Sequence, residues 1–371
     1  MDRVNRAIAD AARANGFSLV GFARIRRLED REAFYRQWLG EGRHGTMAYL
    51  AREPERRLDP RRLDPRIESV VSLGYPYPAP AAPSGDWRAE LRGRIAAYAL
   101  GTDYHDYVLA KARAVAGAIA ALKPRAVTRV YVDTGPVFER EWAAGARLGW
   151  FGKNTMILNR EHGSYFFLAE ILTDAELEPS AQPYREHCGT CRRCLDLCPT
   201  GALGPGCAID SRLCISYLTI EHRGSIPVEL RAKLEMWIFG CDVCQEVCPW
   251  NGAEGNGATA DLFPYLPELL ALDDAGFSRR FSASAIKRTK RRGLARNVAV
   301  VLGNTGNPEA GPHLARALEN DPEPLVRAHA AWALGRIGGA PSRRALDRAR
   351  AREPDGATAA EIDAALTTGS P

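Results

Sequence analysis

Nine cysteines, all between positions 188 and 248, constrain this chain more than any other feature. Cys188-x-x-Cys191-x-x-Cys194-x-x-x-Cys198-Pro199 is followed by a shorter run, Cys241-x-x-Cys244-x-x-x-Cys248-Pro249. Disulfide frameworks belong to short secreted chains. Here the chain has 371 residues, and residues 1–15 mix Arg, Asp and Ala with neither an apolar signal-peptide core nor a twin-arginine signal. The expected compartment is the cytoplasm, so the thiols point to metal or redox chemistry. Structural zinc sites use two separated CxxC pairs. The continuous run with its closing Cys-Pro instead fits 4Fe–4S cubanes, because soft thiolates suit iron–sulfur assembly and adjacent cubanes conduct single electrons.

The spacing also suggests the wiring. In two-cluster ferredoxins the first three thiolates of such a run hold one cubane, and the fourth crosses to the other. By that rule Cys188, Cys191, Cys194 and Cys248 hold one cluster, while Cys198, Cys241, Cys244 and a fourth ligand hold the second. Aligning the runs puts Ile238 where the fourth cysteine would stand. A substitute must come from Cys207 or Cys214, between which spacing does not choose.

The rest of the sequence reads as α+β. Helical patterns at 4–14, 104–122 and 137–148 alternate with strand-like runs at 17–22, 68–74, 94–98, 127–132, 155–158 and 165–172. No GxGxxG follows a strand and no Walker loop is present, which removes support for dinucleotide or P-loop chemistry. A polar stretch with Pro179 and Pro183 marks a linker. The C-terminal part repeats with a period of 32 residues, Leu302-Gly303-x-x-Gly306 matching Leu334-Gly335-x-x-Gly338, which is the pattern of HEAT-like helical pairs. The expected organisation is an α/β catalytic domain over 1–177, a ferredoxin-like two-cluster module over 178–258, a helical HEAT-like region over 259–352, and a disordered tail over 353–371. No run approaches the roughly 18 apolar residues of a membrane span.

Several segments carry a resemblance beyond chemistry read from spacing: Arg57-x-Asp59-Pro60, Tyr98-Ala99-Leu100-Gly101-x-Asp103-Tyr104-His105, Val132-Asp133-Thr134-Gly135-Pro136 with Glu139-Arg140, Gly149-Trp150-x-Gly152-Lys153-Asn154-Thr155, the run 214–221, and Gly293-Leu294-x-Arg296-Asn297. With the order of the cysteines, they resemble the epoxyqueuosine reductase family over residues 5–350. The resemblance implies cobalamin as the electron acceptor, bound by the N-terminal domain against the ferredoxin module. It also implies a tRNA substrate whose wobble-base epoxide becomes the alkene of queuosine, the last step of queuosine biosynthesis. It makes Cys214 the missing ligand and Cys207 a bystander. Asp133 becomes the acid that protonates the epoxide oxygen, in place of a cap for a helix near Val137. Arg57, Tyr104, Asp133, Arg140, Lys153, Ser216 and Asp242 are the expected cobalamin contacts.

The net charge of +5 permits a polyanionic partner without requiring one. The densest basic run, Lys287, Arg288, Lys290, Arg291 and Arg292, is expected with Arg223 and Arg296 to track tRNA phosphates. The expected protein is a monomer served by an unidentified cytoplasmic electron donor. Two other readings exist. A reductive dehalogenase would share cobalamin and two cubanes, but such enzymes carry an export signal and no basic helical tail. A non-catalytic electron-transfer adaptor would leave the N-terminal domain without a task.

Overall fold

The run Ser69–Pro76 reads SVVSLGYP and is buried over its first six residues, as expected of an inner strand covered on both faces. It is β2 of a four-stranded antiparallel sheet with β1 (Leu19–Arg24), β3 (Thr128–Tyr131) and β4 (Phe166–Thr173), in the order β1-β2-β4-β3. β4 pairs Glu170 with Ser72 on one side and Tyr131 on the other. The computed structural model describes residues 3–80, 85–181, 184–252 and 262–368.

Side-chain alternation along β4 sorts the helices onto opposite faces. Helix α1 (Arg3–Ala14) packs against helix α3 (Tyr104–Leu122). The latter lies on the face of Phe167, where Tyr104 stacks at 4.2 Å between ring centroids. Its buried residues Val108, Ala112, Val115 and Ile119 follow helical spacing. Helix α4 (Glu139–Gly145) covers the other face, where Trp142 joins Val70 and Leu172 in one apolar cluster. Helix α2 (Glu29–Gly40) adds its single buried residue, Tyr35, to that cluster.

The chain divides into two compact units, each assembled from three separated stretches. The first holds Met1–Ala79, Asp103–Arg212 and Val243–Gly255; the second holds Pro80–Thr102, Leu213–Asp242 and Asn256–Pro371. Consecutive domains would have kept the cysteine segment together. Instead Cys214 and Cys241 fall in the second unit and the other seven cysteines in the first. The reason is pairing over long range. Trp237–Phe239 forms a parallel pair with Arg94–Ile95, and both lie in the core of the second unit with Lys290–Thr305.

That second unit is mainly a helical stack: α5 (Lys290–Thr305), α6 (Gly311–Asn320), α7 (Pro324–Ile337), α8 (Gly339–Arg350) and α9 (Gly356–Thr368). The repeat has a physical basis in two equivalent close approaches. A Cβ on Gly303 would lie 2.8 Å from Cα of Ala333, and one on Gly335 would lie 2.9 Å from Cα of Ala365. Any side chain there would force the helices apart. The second contact needs α9, which corrects the expectation of a disordered tail from 353. Ile362 is fully buried, Glu361 pairs with Arg231, and the Ala-rich composition that suggested fraying is a strong helix former. Among the described residues no helix is long and apolar enough to cross a membrane.

Candidate active site

Cys188, Cys191, Cys194 and Cys248 line one pocket of the first unit together with Lys153 and Trp250. Burial, followed by the crowding of Cys248, Cys188 and Cys191, pushes the Cys194 thiol up to about 11. A cubane would displace those protons and turn the crowding into ligation. The indole Nε1 of Trp150 is buried in the apolar cluster that holds Cys248 and Cys188, where it favours the thiolate of Cys188. A buried indole donor directed at one of four thiols fits a sulfur-rich anionic group, whose sulfurs accept hydrogen bonds. Cys207 has a left-handed backbone, with its thiol directed at the Phe151 carbonyl.

The segment Gly149 to Thr155 fastens these loops. Lys153 Nζ donates to the carbonyls of Gly189 (2.6 Å) and Cys191 (2.9 Å), and Asn154 Nδ2 donates to that of Cys244 (3.1 Å). Lys153, expected at a corrin, thus has its ammonium on the cysteine loop. Thr155 continues the chain of contacts, its carbonyl accepting from Arg140 Nη1 at 2.6 Å.

Asp133 lies two residues beyond β3 with φ +57° and an exposed side chain. A non-glycine residue in that region is uncommon, and such strain concentrates at functional sites. A helix cap does not explain it. Helix α4 begins at Glu139, with Phe138 in the cap position and no side-chain cap bond. The next turn is shaped by Gly135, where a Cβ would meet Tyr131 Cδ1 at 2.3 Å. Arg57 Nη1 reaches the Gly135 carbonyl at 3.3 Å, while its buried Nε has no protein partner. On the other side of Asp133, its Oδ2 lies 3.2 Å from Nε2 of His105. Tyr104 stacks on His105 at 4.1 Å, so Arg57, Tyr104, Asp133 and Arg140 gather around one loop.

Beneath that loop sits a carboxyl pair that sequence reading did not select. Glu139 accepts the Asp133 backbone N–H at 2.6 Å, and Glu170 is fully buried with both carboxyl oxygens lacking a well-formed hydrogen bond. Burial first, and then the charge of Asp133 on Glu139 and of Glu139 on Glu170, holds both well above the usual range. The pair therefore retains protons at neutral pH. The signal for Glu170 was present in the sequence as one acid inside the apolar strand FFLAEILT. His105 was visible only as a member of a motif.

The remaining predicted contacts lie in the second unit. The buried carboxylate of Asp242 accepts the Ala97 N–H at 2.7 Å, and Ser216 sits in the short helix Ile215–Ile220, half-buried. The basic set divides. Lys287, Arg288, Lys290 and Arg292 are exposed, although Arg288 also pairs with Glu221. Arg291 is buried against Asp321. Arg296 is fully buried, donating to the carbonyls of Leu218, His222 and Gly224. Both are corrected from phosphate contacts to internal braces, since their guanidiniums are already engaged. Burial, and then the positive charges of Arg223 and Arg292, pushes Arg296 down to about 9, which places Arg223 in the same positive field.

Known proteins resemble this chain over most of its length. The "Epoxyqueuosine reductase QueG" family model matches residues 57–134, that of the 4Fe–4S double cluster binding domain residues 187–251, and that of HEAT repeats residues 283–366. An epoxyqueuosine reductase of Xanthomonas campestris is 40% identical over 341 residues, covering 89% of this chain and 95% of its own. A crystal structure of an epoxyqueuosine reductase with an epoxyqueuosine-modified tRNA-Tyr stem loop superposes with a TM-score of 0.89 at 30% identity, covering 99% of this chain and 98% of the other. A Bacillus subtilis epoxyqueuosine reductase, solved with an aspartate-bearing catalytic loop swung out of its active site, gives a TM-score of 0.89 at 28% identity, with 99% of both chains covered.

Proposed function

The chain belongs to the epoxyqueuosine reductase family, and on that premise we propose that it reduces the epoxide of epoxyqueuosine in tRNA to the alkene of queuosine, using electrons carried by two 4Fe–4S clusters. The observation that carries this reading is the strained, exposed Asp133 in the same unit as a four-cysteine pocket, in a chain 40% identical to a named relative over most of its length. Removing the epoxide oxygen as water breaks two C–O bonds, forms one C=C bond, and consumes two electrons and two protons. In this reading Asp133 gives a proton to that oxygen and acts as the general acid of the reaction.

The first cluster uses Cys188, Cys191, Cys194 and Cys248. The second uses Cys198, Cys241, Cys244 and Cys214. Support for Cys214 comes from the resemblance.

Cobalamin is the group we assign between the clusters and the epoxide; when bound, it supplies a strongly reducing centre able to deliver electrons to carbon. Arg57 supports the fit, because its buried Nε lacks an acceptor that corrin amide carbonyls would provide. Arg57, Tyr104 and Arg140 would hold it around Asp133, with Lys153 acting through the cysteine loop it fastens; the resemblance adds Ser216 and Asp242. The exposed residues Lys287, Arg288, Lys290 and Arg292, with Arg223, track the tRNA backbone. Recognition of the base itself requires a splayed anticodon nucleotide. The same reading makes the protein a cytoplasmic monomer served by a separate electron donor.

The test is anaerobic. Protein reconstituted with iron, sulfide and cobalamin is given a chemical reductant and an epoxyqueuosine-bearing anticodon stem loop, and the nucleosides are analysed by mass. Loss of one oxygen from the modified base is expected. Full metal content without that conversion would exclude the reading.

A further inference from the structure

Reduction of an epoxide to an alkene and water needs two protons, and Asp133 holds one. Beside its carboxyl lies His105, with Nε2 at 3.2 Å from Asp133 Oδ2. The opposite ring nitrogen, Nδ1, lies 2.6 Å from Oδ1 of Asp103. That same Asp103 oxygen also accepts the backbone N–H of His105 at 3.1 Å, as the N-cap of α3. One face of the imidazole is covered by Tyr104, which is itself stacked on Phe167. The ring is therefore fixed between two carboxylates with its orientation determined, and it remains about one third open to solvent.

We propose that His105 is the source of the second proton: it reloads Asp133 within a single turnover, with Asp103 as the residue that positions it. This rests on the functional reading above. In sequence, the Asp133 carboxyl gives its proton to the epoxide oxygen as the first C–O bond breaks. The resulting carboxylate takes the Nε2 proton of the imidazolium. That proton passes to the same oxygen, which leaves as water as the second C–O bond breaks. The two electrons arrive from the clusters, and two protons from solvent then restore the Asp133 carboxyl and the imidazolium of His105, whose Nδ1 keeps donating to Asp103.

The charge state agrees with the geometry. Burial of the ring pulls His105 down, and so does its place in the first turn of α3, at the positive end of the helix dipole. The hydrogen bonds to Asp133 and Asp103 outweigh burial and lift the imidazole to about 8. The charged groups facing it are Asp103 on its own element and Asp133 on the loop after β3; Glu139 lies behind Asp133, bound to its backbone. The lift depends on the Asp133 carboxylate, so the imidazolium is the form that faces Asp133 once that residue has given up its first proton. This explains why an acid so exposed as Asp133 sits beside a cation that can replace its proton at once.

The experiment compares parent, His105→Ala and His105→Gln in single-turnover reduction of the epoxyqueuosine stem loop across pH 6 to 9, with iron and cobalt measured in each preparation. The parent rate is expected to fall as pH rises through about 8. In His105→Ala that limb disappears and the rate drops about 100-fold, on the scale of a lost acid–base group. Added imidazole should restore part of the His105→Ala rate and none of the His105→Gln rate, a response that a packing defect would not give. Independently of turnover, the imidazole NMR titration of His105 in the full chain should move to lower pH in Asp133→Asn. Unchanged rates and pH limb in both His105 variants, or a loss that imidazole does not rescue, would overturn the proposal alone. Absence of turnover by the metal-replete parent would remove the functional reading as well.

Discussion

The backbone N–H of Asp133 donates to Oε1 of Glu139 at 2.6 Å, across the loop in which Asp133 itself adopts φ +57°. The acid is held in a disfavoured conformation by a carboxyl that helix α4 presents from its first residue. Asp133→Asn tolerates the same backbone and keeps the loop, but has no proton to give. Its single-turnover rate is expected to fall by about two to four orders of magnitude, with iron and cobalamin content unchanged. Glu139→Ala releases the loop and should also slow the reaction. Because the two residues act as one device, the double variant should lose far less than the sum of both effects. Additive losses would show that Glu139 does not work through Asp133.

Glu139 and Glu170 should also make stability depend on pH. Burial, and then the charge of Asp133 on Glu139 and of Glu139 on Glu170, hold their protons more tightly in the folded protein than in the unfolded chain. The folded state therefore binds more protons above the ordinary value of 4.5, and the pair's contribution, complete below that value, is lost as pH rises through the raised folded values. Glu170→Gln keeps the shape and cannot ionise. It is expected to flatten the decline, with little change at pH 5. Denaturant melts of parent and variant at pH 5 and pH 8 would check this; equal losses with pH would count against it.

The wiring of the second cluster gives a chemical prediction. Cys214→Ala should bind about four irons per chain and Cys207→Ala about eight, since each cubane holds four. Iron analysis with electron paramagnetic resonance of the reduced proteins separates the cases. Eight irons in the Cys214 variant would return the fourth position to Cys207.

The basic residues should separate into two classes. Neutralising Lys287, Lys290 and Arg292 is expected to weaken stem-loop binding and to lower its salt dependence by roughly 0.7–0.9 of a slope unit for each phosphate left without its cation. Arg296→Met should instead reduce stability by about 1–3 kcal/mol, because the carbonyls of Leu218, His222 and Gly224 lose their donor. A salt titration of affinity beside a denaturant melt distinguishes the two. A purely binding effect in Arg296→Met would contradict its burial.

The sequence by itself determined the chemistry that depends on local spacing. CxxCxxCxxxCP specifies cubane ligands because consecutive thiols must reach one cluster, and the repeat of Leu-Gly-x-x-Gly specifies close helix packing because only glycine admits it at Gly303 and Gly335. The strand and helix around Asp133 were legible for the same reason: α3 begins and ends where its apolar spacing and the Asp103 cap put it. Only tertiary structure decided which charges are free. Arg292 and Arg296 are indistinguishable as letters near a basic run, yet Arg296 is buried and Arg292 exposed, because one side of α5 faces the Leu218 carbonyl, 78 residues earlier in the chain. Glu170 looks like a misplaced acid until β4 pairs it beside Ser72 and α4 brings Glu139 over it. His105 gains its meaning from Asp133, which is distant in sequence and 3.2 Å away in space. Proton affinity depends on burial and on neighbouring charge, and both are properties of the folded arrangement, not of spacing along the chain.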